Sequence, residues 1–194
     1  MTANSRIVVG VDGSMSSTSA VRWAAQTAAR HNAPLLLLSA WTVPVAGYRG
    51  MGVPPSFFDD QVAEGRRRLG EATRIAHESA PGGELSVTTE LVAGPAVAAL
   101  IEWSRDARMV VLGSRGLGEF TGGLLGSVTA ALAHHAHSPV AVIRESPHPT
   151  TQGPVVVGVD GSTNSEPAIA LAFEEASLRG TDLIAVHAWS SEVA

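Results

Sequence analysis

The chain has 194 residues, a formal net charge of −5 and 45% hydrophobic residues, enough apolar material for one domain and part of another and too little positive charge for a broad nucleic-acid-binding face. It has no cysteine, and all 13 of its Lys and Arg residues are Arg, which together exclude disulfides, thiolate metal sites, cysteine nucleophiles, a Walker A lysine and a pyridoxal Schiff base. The amino-terminal "MTANSRIVVGVDGS" lacks the apolar core of a signal peptide, and no stretch is apolar for long enough to span a bilayer; the sequence reads as cytoplasmic, with neither membrane nor nucleic acid as a partner.

Taken in chain order, the elements alternate. A strand is predicted over 6–12 with a continuous apolar core, then a helix over 16–31 with Ala20, Ala24 and Ala28 on one face and Ser14 or Ser16 as its cap. An apolar strand over 34–42 leads into a Pro/Gly-rich loop, 43–56. A long helix follows over 57–80, with Val62, Leu69, Ala72 and Ile75 in register, and then a strand over 84–92. Gly94-Pro95 opens a short helix that turns Val97, Leu100 and Ile101 inward, with proline in its first turn. A strand over 108–113 runs into the loop "GSRGLGEFTGGLLGS", in which six of fifteen residues are glycine. A helix over 126–137 and a strand over 139–144 complete a domain assigned to 1–147, and 148–154 is a linker.

Strands apolar on both faces, alternating with helices, imply a parallel sheet covered on both sides. Five strands in this order suit a doubly wound α/β fold, flavodoxin- or Rossmann-like, with strand order 3-2-1-4-5. Ligands in such sheets lie beyond the carboxyl ends of the strands, at the switch point between strands 1 and 4. The loops that meet there are "DGSMSS" and the glycine loop.

The chain also repeats itself. "VVGVDGSMSSTSAVRWAAQTAARHNAPLLLLSAW", from Val8, aligns without a gap on "VVGVDGSTNSEPAIALAFEEASLRGTDLIAVHAW", from Val156, ending at Trp41 and Trp189 respectively. Residues 155–194 thus read as an incomplete second repeat, a β-α-β segment with strands over 155–160 and 182–189 around a helix over 166–179. A segment so short and without disulfide or metal is expected to need a partner surface, either the first domain or the same segment of another chain.

Several residues allow two readings. Gly113 and Gly116 let backbone approach a ligand, and Gly126-Ser127 opens a helix whose free N–H groups and dipole favour an anion; the alternative is a loose loop with Ser127 as a plain cap. Asp12 is either a turn former in "VDGS" or a hydrogen-bonding partner for a ligand. Trp41 either stacks on a base or packs in the core. His134, His135 and His137 either bind a metal or complement the end of a helix, and no acidic residue lies close by in sequence. The Gly-x-Gly-x-x-Gly fingerprint is missing after strand 1, and no nucleophile elbow or zinc motif occurs.

Through "VVGVDGS", "LLLLSAW" and "VVLGSRGLGEFTGGLLGSVTAALAHHAHSPVAVIR", residues 7–144 resemble the universal stress proteins, and "VVVGVDGSTNSEPA" resembles the start of a second such domain. The Gly-x-x-Gly, nine residues, Gly-Ser spacing matches the family's ATP-binding branch. The resemblance implies that Gly10, Val11 and Asp12 border base and ribose, that Ala40 meets adenine through its backbone, and that Leu112 and Gly113 flank the ribose. It implies further that Arg115, Gly116, Gly126, Ser127, Val128 and Thr129 surround the phosphates, with a divalent metal such as Mg able to bridge them. The expected cofactor is ATP, the expected assembly a homodimer, and the protein partner is not named by any residue. Three functions compete: an ATP-binding regulatory module of the stress response, a slow ATPase in which Asp12 or Glu119 positions water or metal, and a non-catalytic dimerising scaffold. No catalytic residue and no protein metal site is assigned.

Overall fold

The structure, a computed structural model, describes residues 5–43, 54–82, 84–116, 125–145 and 153–189. The chain divides into two compact units, Met1–Glu145 and Ser146–Ala194.

In the first unit the apolar runs become the strands of one parallel sheet: β1 (Ile7–Gly10), β2 (Leu35–Trp41), β3 (Val87–Ala93), β4 (Met109–Gly113) and β5 (Val140–Ile143). Their order is β3-β2-β1-β4-β5, the doubly wound order the alternation predicts. Helices α1 (Met15–His31) and α2 (Pro55–Ser79) cover one face, and α3 (Ala96–Trp103) and α4 (Ser127–His135) the other. Double coverage is why Ile7, Val8, Val9, Val110 and Val111 can all be apolar and fully buried in the two central strands. Beneath α3 and α4 the core gathers Val8, Leu36, Leu38, Leu100, Val110, Leu112 and Leu132.

The outer strand departs from the two-faced apolar pattern. In β3, Thr88, Thr89 and Glu90 are exposed, because β3 pairs with β2 alone and stands at the sheet edge. Helix ends shift as well. Ser14, not Ser16, caps α1, its Oγ accepting the Ser17 N–H at 3.1 Å. α4 stops at His135, which leaves His137 outside the helix.

The second unit is a parallel pair, β6 (Val155–Gly158) and β7 (Leu183–Val186), joined by the short 3₁₀ turn Thr163–Ser165 and α5 (Glu166–Arg179). Both strands are shorter than their sequence patterns predict. Its loop after β6 reproduces the one after β1. Gly13 and Gly161 sit at φ 87° and 80°, where only glycine is unstrained. In each turn the following serine N–H donates to the aspartate Oδ1 at 2.9 Å, Ser14 to Asp12 and Ser162 to Asp160. Within α5 the buried Glu175 is neutralised by Arg179 at 2.7 Å. No helix among the described residues is long and apolar enough to cross a membrane.

Two glycines inside α2 test this account of the packing. A Cβ at Gly65 would lie 2.5 Å from Leu91 Cδ1, whereas one at Gly70 would meet nothing within 4 Å. Gly70→Ala is predicted to raise unfolding stability by about 0.5–1 kcal/mol through helix propensity. Gly65→Ala should lose that gain to the displaced Leu91. Urea unfolding of both variants measures the difference; equal gains would contradict the close α2–β3 contact.

Candidate functional site

β1 and β4 are neighbours in the sheet but not in the chain, with Ile7, Val8 and Val9 paired to Met109, Val110 and Val111. The segments leaving their carboxyl ends turn to opposite faces, so a cleft opens between them. On the β1 side, the Val11 N–H donates to Leu38 O at 2.8 Å, carrying the strand one residue further before the Asp12 turn. Asp12 is thereby held at the rim with Oδ1 engaged by Ser14 N–H. It is the turn former one reading predicts, and it also lines the cleft.

On the β4 side, Ser114 N–H donates to Ile143 O at 2.8 Å and Gly126 N–H donates to Ser114 O at 2.9 Å. These bonds bring the two ends of the glycine loop side by side. Gly126 is the cap residue of α4, in extended conformation, and, being glycine, it offers the N–H groups of the first turn no capping side chain. That turn of Ser127, Val128 and Thr129 lines the cleft, so its amides and dipole are available to an anion. The Thr129 hydroxyl donates to Gly113 O at 3.0 Å and fastens α4 to the end of β4. Its hydrogen is therefore committed to the protein itself.

The glycines also meet a packing demand. A Cβ at Gly113 would stand 2.6 Å from Ser16 Oγ and 2.7 Å from the Ser16 carbonyl carbon. A Cβ at Gly116 would stand 2.6 Å from Asp12 Oδ2. Gly113 requires glycine because the backbone of α1 at Ser16 already occupies the space, and at Gly116 a side chain would displace the Asp12 carboxylate. Gly126 differs, since its Cβ would meet nothing closer than 3.6 Å.

The cleft has a volume of about 260 Å³. The twelve residues that the family resemblance assigns to nucleotide contact all line it: Gly10 at the end of β1 with Val11 and Asp12 after it, Ala40 from β2, Leu112, Gly113, Arg115 and Gly116 from β4 onward, and Gly126, Ser127, Val128 and Thr129 at the start of α4. Four lining residues escaped the sequence reading: Ser17, Leu38, Ala96 and Leu100. Leu38 stands two residues before Ala40 on the same strand face, a signal period-two alternation carries. Ala96 and Leu100 sit one helical turn apart on α3, which no loop at the switch point betrays. Leu38, Leu100 and Leu112, which pack in one cluster, give the cleft an apolar wall, and the lining also includes the first turn of α4 with the Ser127 hydroxyl and the exposed Arg115.

Trp41 is drawn into packing at the edge of the core. It is half-buried, lies outside the cleft lining and meets Phe58 edge-on with ring centroids 6.0 Å apart. His134 and His135 occupy the last turn of α4, where a cation complements the helix dipole. Among the described residues no group of three His, Asp or Glu side chains is placed to hold a metal. Glu119 lies outside the described residues. Behind the Asp12 turn, the stem of Arg68 lies 3.4 Å from the position a Gly13 Cβ would take. Hydrogen bonds from Arg67 and then Arg68 hold the Glu64 carboxyl down to about 2.

Comparison with known proteins fits this architecture. The model of the universal stress protein family matches residues 3–144 and again 153–194. A universal stress protein of Mycobacterium tuberculosis is 43% identical over 189 residues, covering 95% of this chain and 63% of its own length. One of Mycobacterium bovis is 46% identical over 189 residues, with 95% and 64% covered. The chain therefore spans less than two thirds of these relatives. Among solved structures, a universal stress protein in complex with cAMP is 30% identical with a TM-score of 0.53, over 74% of this chain and 99% of that one. A universal stress protein from Archaeoglobus fulgidus, 19% identical with a TM-score of 0.78 over all of this chain and 70% of its own, shares the fold. The chain belongs to the universal stress protein family.

Proposed function

We propose that the cleft of the first unit binds ATP and that the chain acts as a nucleotide-dependent regulatory module of the stress response. The observation that carries this reading is the juxtaposition, in one cleft, of an apolar wall with an α4 amino-terminus that no side chain caps. An apolar slot suits a purine, and uncapped amides suit phosphate oxygens without any lysine. The complex of a 30% identical relative with cAMP supports an adenine nucleotide as the ligand class. The residues fit the triphosphate group by group: Val11, Leu38 and Leu100 for the base, Asp12 for the ribose hydroxyls, and Gly116, Ser127 and Arg115 for the phosphates.

Asp12 is the one carboxylate lining the cleft among the described residues, and its Oδ1 is already bonded to Ser14 N–H. Mg accompanying ATP would be held by the phosphates, and the Asp12 carboxylate is the cleft group with the charge to help hold it. This chemistry favours retention of the nucleotide over turnover. Occupancy would bias homodimer formation or the choice of a protein partner. The second unit, with its matching Asp160 turn, is in this reading the opening of a second module.

Purified protein is expected to retain adenine nucleotide on acid extraction and to bind added ATP by calorimetry. Gly126→Glu should weaken ATP binding by at least about ten-fold, because a carboxylate then faces the phosphate end. Gly126 has an ordinary φ of −67° and room for a Cβ, so the variant should keep its fold by circular dichroism. Unchanged affinity would remove the phosphate assignment.

Gly113→Ala is predicted to weaken ATP binding and to lower the melting temperature as well, since its methyl group enters the backbone of α1 at Ser16. His135→Ala, on the exposed end of α4, should change neither. A zinc-dependent property lost in His135→Ala would reverse that ranking. Deleting residues 150–194 should leave ATP affinity unchanged, because every residue assigned to the site lies in the first unit.

A further inference from the structure

Ser16 is 4% exposed, yet it stands on a one-turn segment of α1 surrounded by serines that a surface helix could carry in water. It does not line the cleft. Its Oγ accepts the Arg115 N–H at 3.4 Å, across 99 residues of sequence. Its Oγ, Cβ and carbonyl carbon occupy the space, 2.6 to 2.9 Å away, that a side chain at Gly113 would need. One residue outside the cleft lining thus touches the first and third positions of the Gly113–Gly116 segment. The Thr129 hydroxyl on Gly113 O, the Ser114 N–H on Ile143 O and the Gly126 N–H on Ser114 O fasten the first two positions of that segment; Ser16 reaches the third.

From this geometry we infer that Ser16 is a positioning residue for the phosphate end of the cleft. It orients the Arg115 peptide, and with it the Gly116 backbone, against the first turn of α4. The inference rests on the nucleotide reading above and adds a residue to it. The physical argument is one of partners. An N–H in a tight, part-buried segment that loses its acceptor must seek another or leave the segment. Removing the Ser16 oxygen therefore lets the Arg115 peptide rotate. Ala40 stands on β2, and Val11, just after β1, is held by Leu38 O, so the base end keeps its shape; Asp12, whose Oδ2 faces Gly116, is held separately through Oδ1 by the Ser14 N–H.

The split between the two ends gives a readout that general destabilisation would not produce. In the full-length chain, Ser16→Ala is expected to weaken ATP binding about five-fold, the effect of one lost hydrogen bond, while adenosine affinity stays at the wild-type value. Amide exchange at Arg115 in the unliganded variant should quicken. Ser16→Cys, close in shape with a weak acceptor sulfur, should show a smaller loss for ATP, and it reads the same split if Ser16→Ala does not fold. Equal losses for ATP and adenosine, or unchanged ATP affinity, would overturn the positioning role while leaving the nucleotide reading intact. Unchanged Arg115 exchange would do the same. If the wild-type chain bound neither ligand, the nucleotide reading would fall first and this inference with it.

Discussion

The pairing of β1 with β4 is the constraint on which the rest of the first unit depends. Three residues of each strand are in register, Ile7 with Met109 through Val9 with Val111, although about a hundred positions separate them in the chain. Every lining residue of the cleft is reached from this pairing, from the β2 strand beside it, or from α1, α3 and α4 packed against these strands. The pairing is strong because both strands are buried on both faces, where water cannot compete for the ladder bonds and each valine or isoleucine leaves solvent. It also throws the two outgoing connections to opposite faces. That divergence, more than any single side chain, makes the space for a ligand.

Across the space, the two sides are fitted to each other at the level of single atoms. Asp12 Oδ2 fills the position beside Gly116, and Ser16 fills the position beside Gly113. Two small residues on one side thus answer two polar residues on the other. A glycine-rich segment is conventionally taken as a sign of looseness, because glycine loses the most conformational freedom on ordering. Here the missing side chains admit close contact, and close contact restricts motion. Gly126, which meets nothing within 3.6 Å, is the exception, and it is the glycine nearest the uncapped helix end.

Much of this was legible in the sequence, and the reasons differ by level. Strand order followed from the alternation of apolar runs with amphipathic ones, since parallel strands need helical crossovers and those crossovers have few allowed arrangements. The residues at the switch point followed from the order, reinforced by the likeness of "GSRGLGEFTGGLLGS" to a family pattern. Ala96 and Leu100 were not legible as cleft residues, because their place depends on how α3 packs on β1 and β2, a tertiary fact with no local signature. The same holds for Ser16. Its neighbours Ser14 and Ser17 share a capping pattern readable from spacing, while its partner lies 99 residues away. The exposed Thr88 to Glu90 run of β3 was misread as two-sided because strand position in the sheet, edge or centre, decides how many faces must be apolar.

The Asp-Gly-Ser turn occurs twice, and its two settings differ. In the first unit Arg68 lies against Gly13, whereas in the second nothing stands within 4 Å of the position a Gly161 Cβ would take. The closing bond is nevertheless 2.9 Å in both. The turn is thus encoded by its own three residues and draws nothing needed for its shape from distant chain. Contacts this local cost the least loop-closure entropy and form far faster than non-local strand pairing. The angle at which each strand hands over to its helix is therefore available early in folding, before any parallel partner has arrived. The slow part of assembling this protein is left to the long crossover that brings β4 to β1.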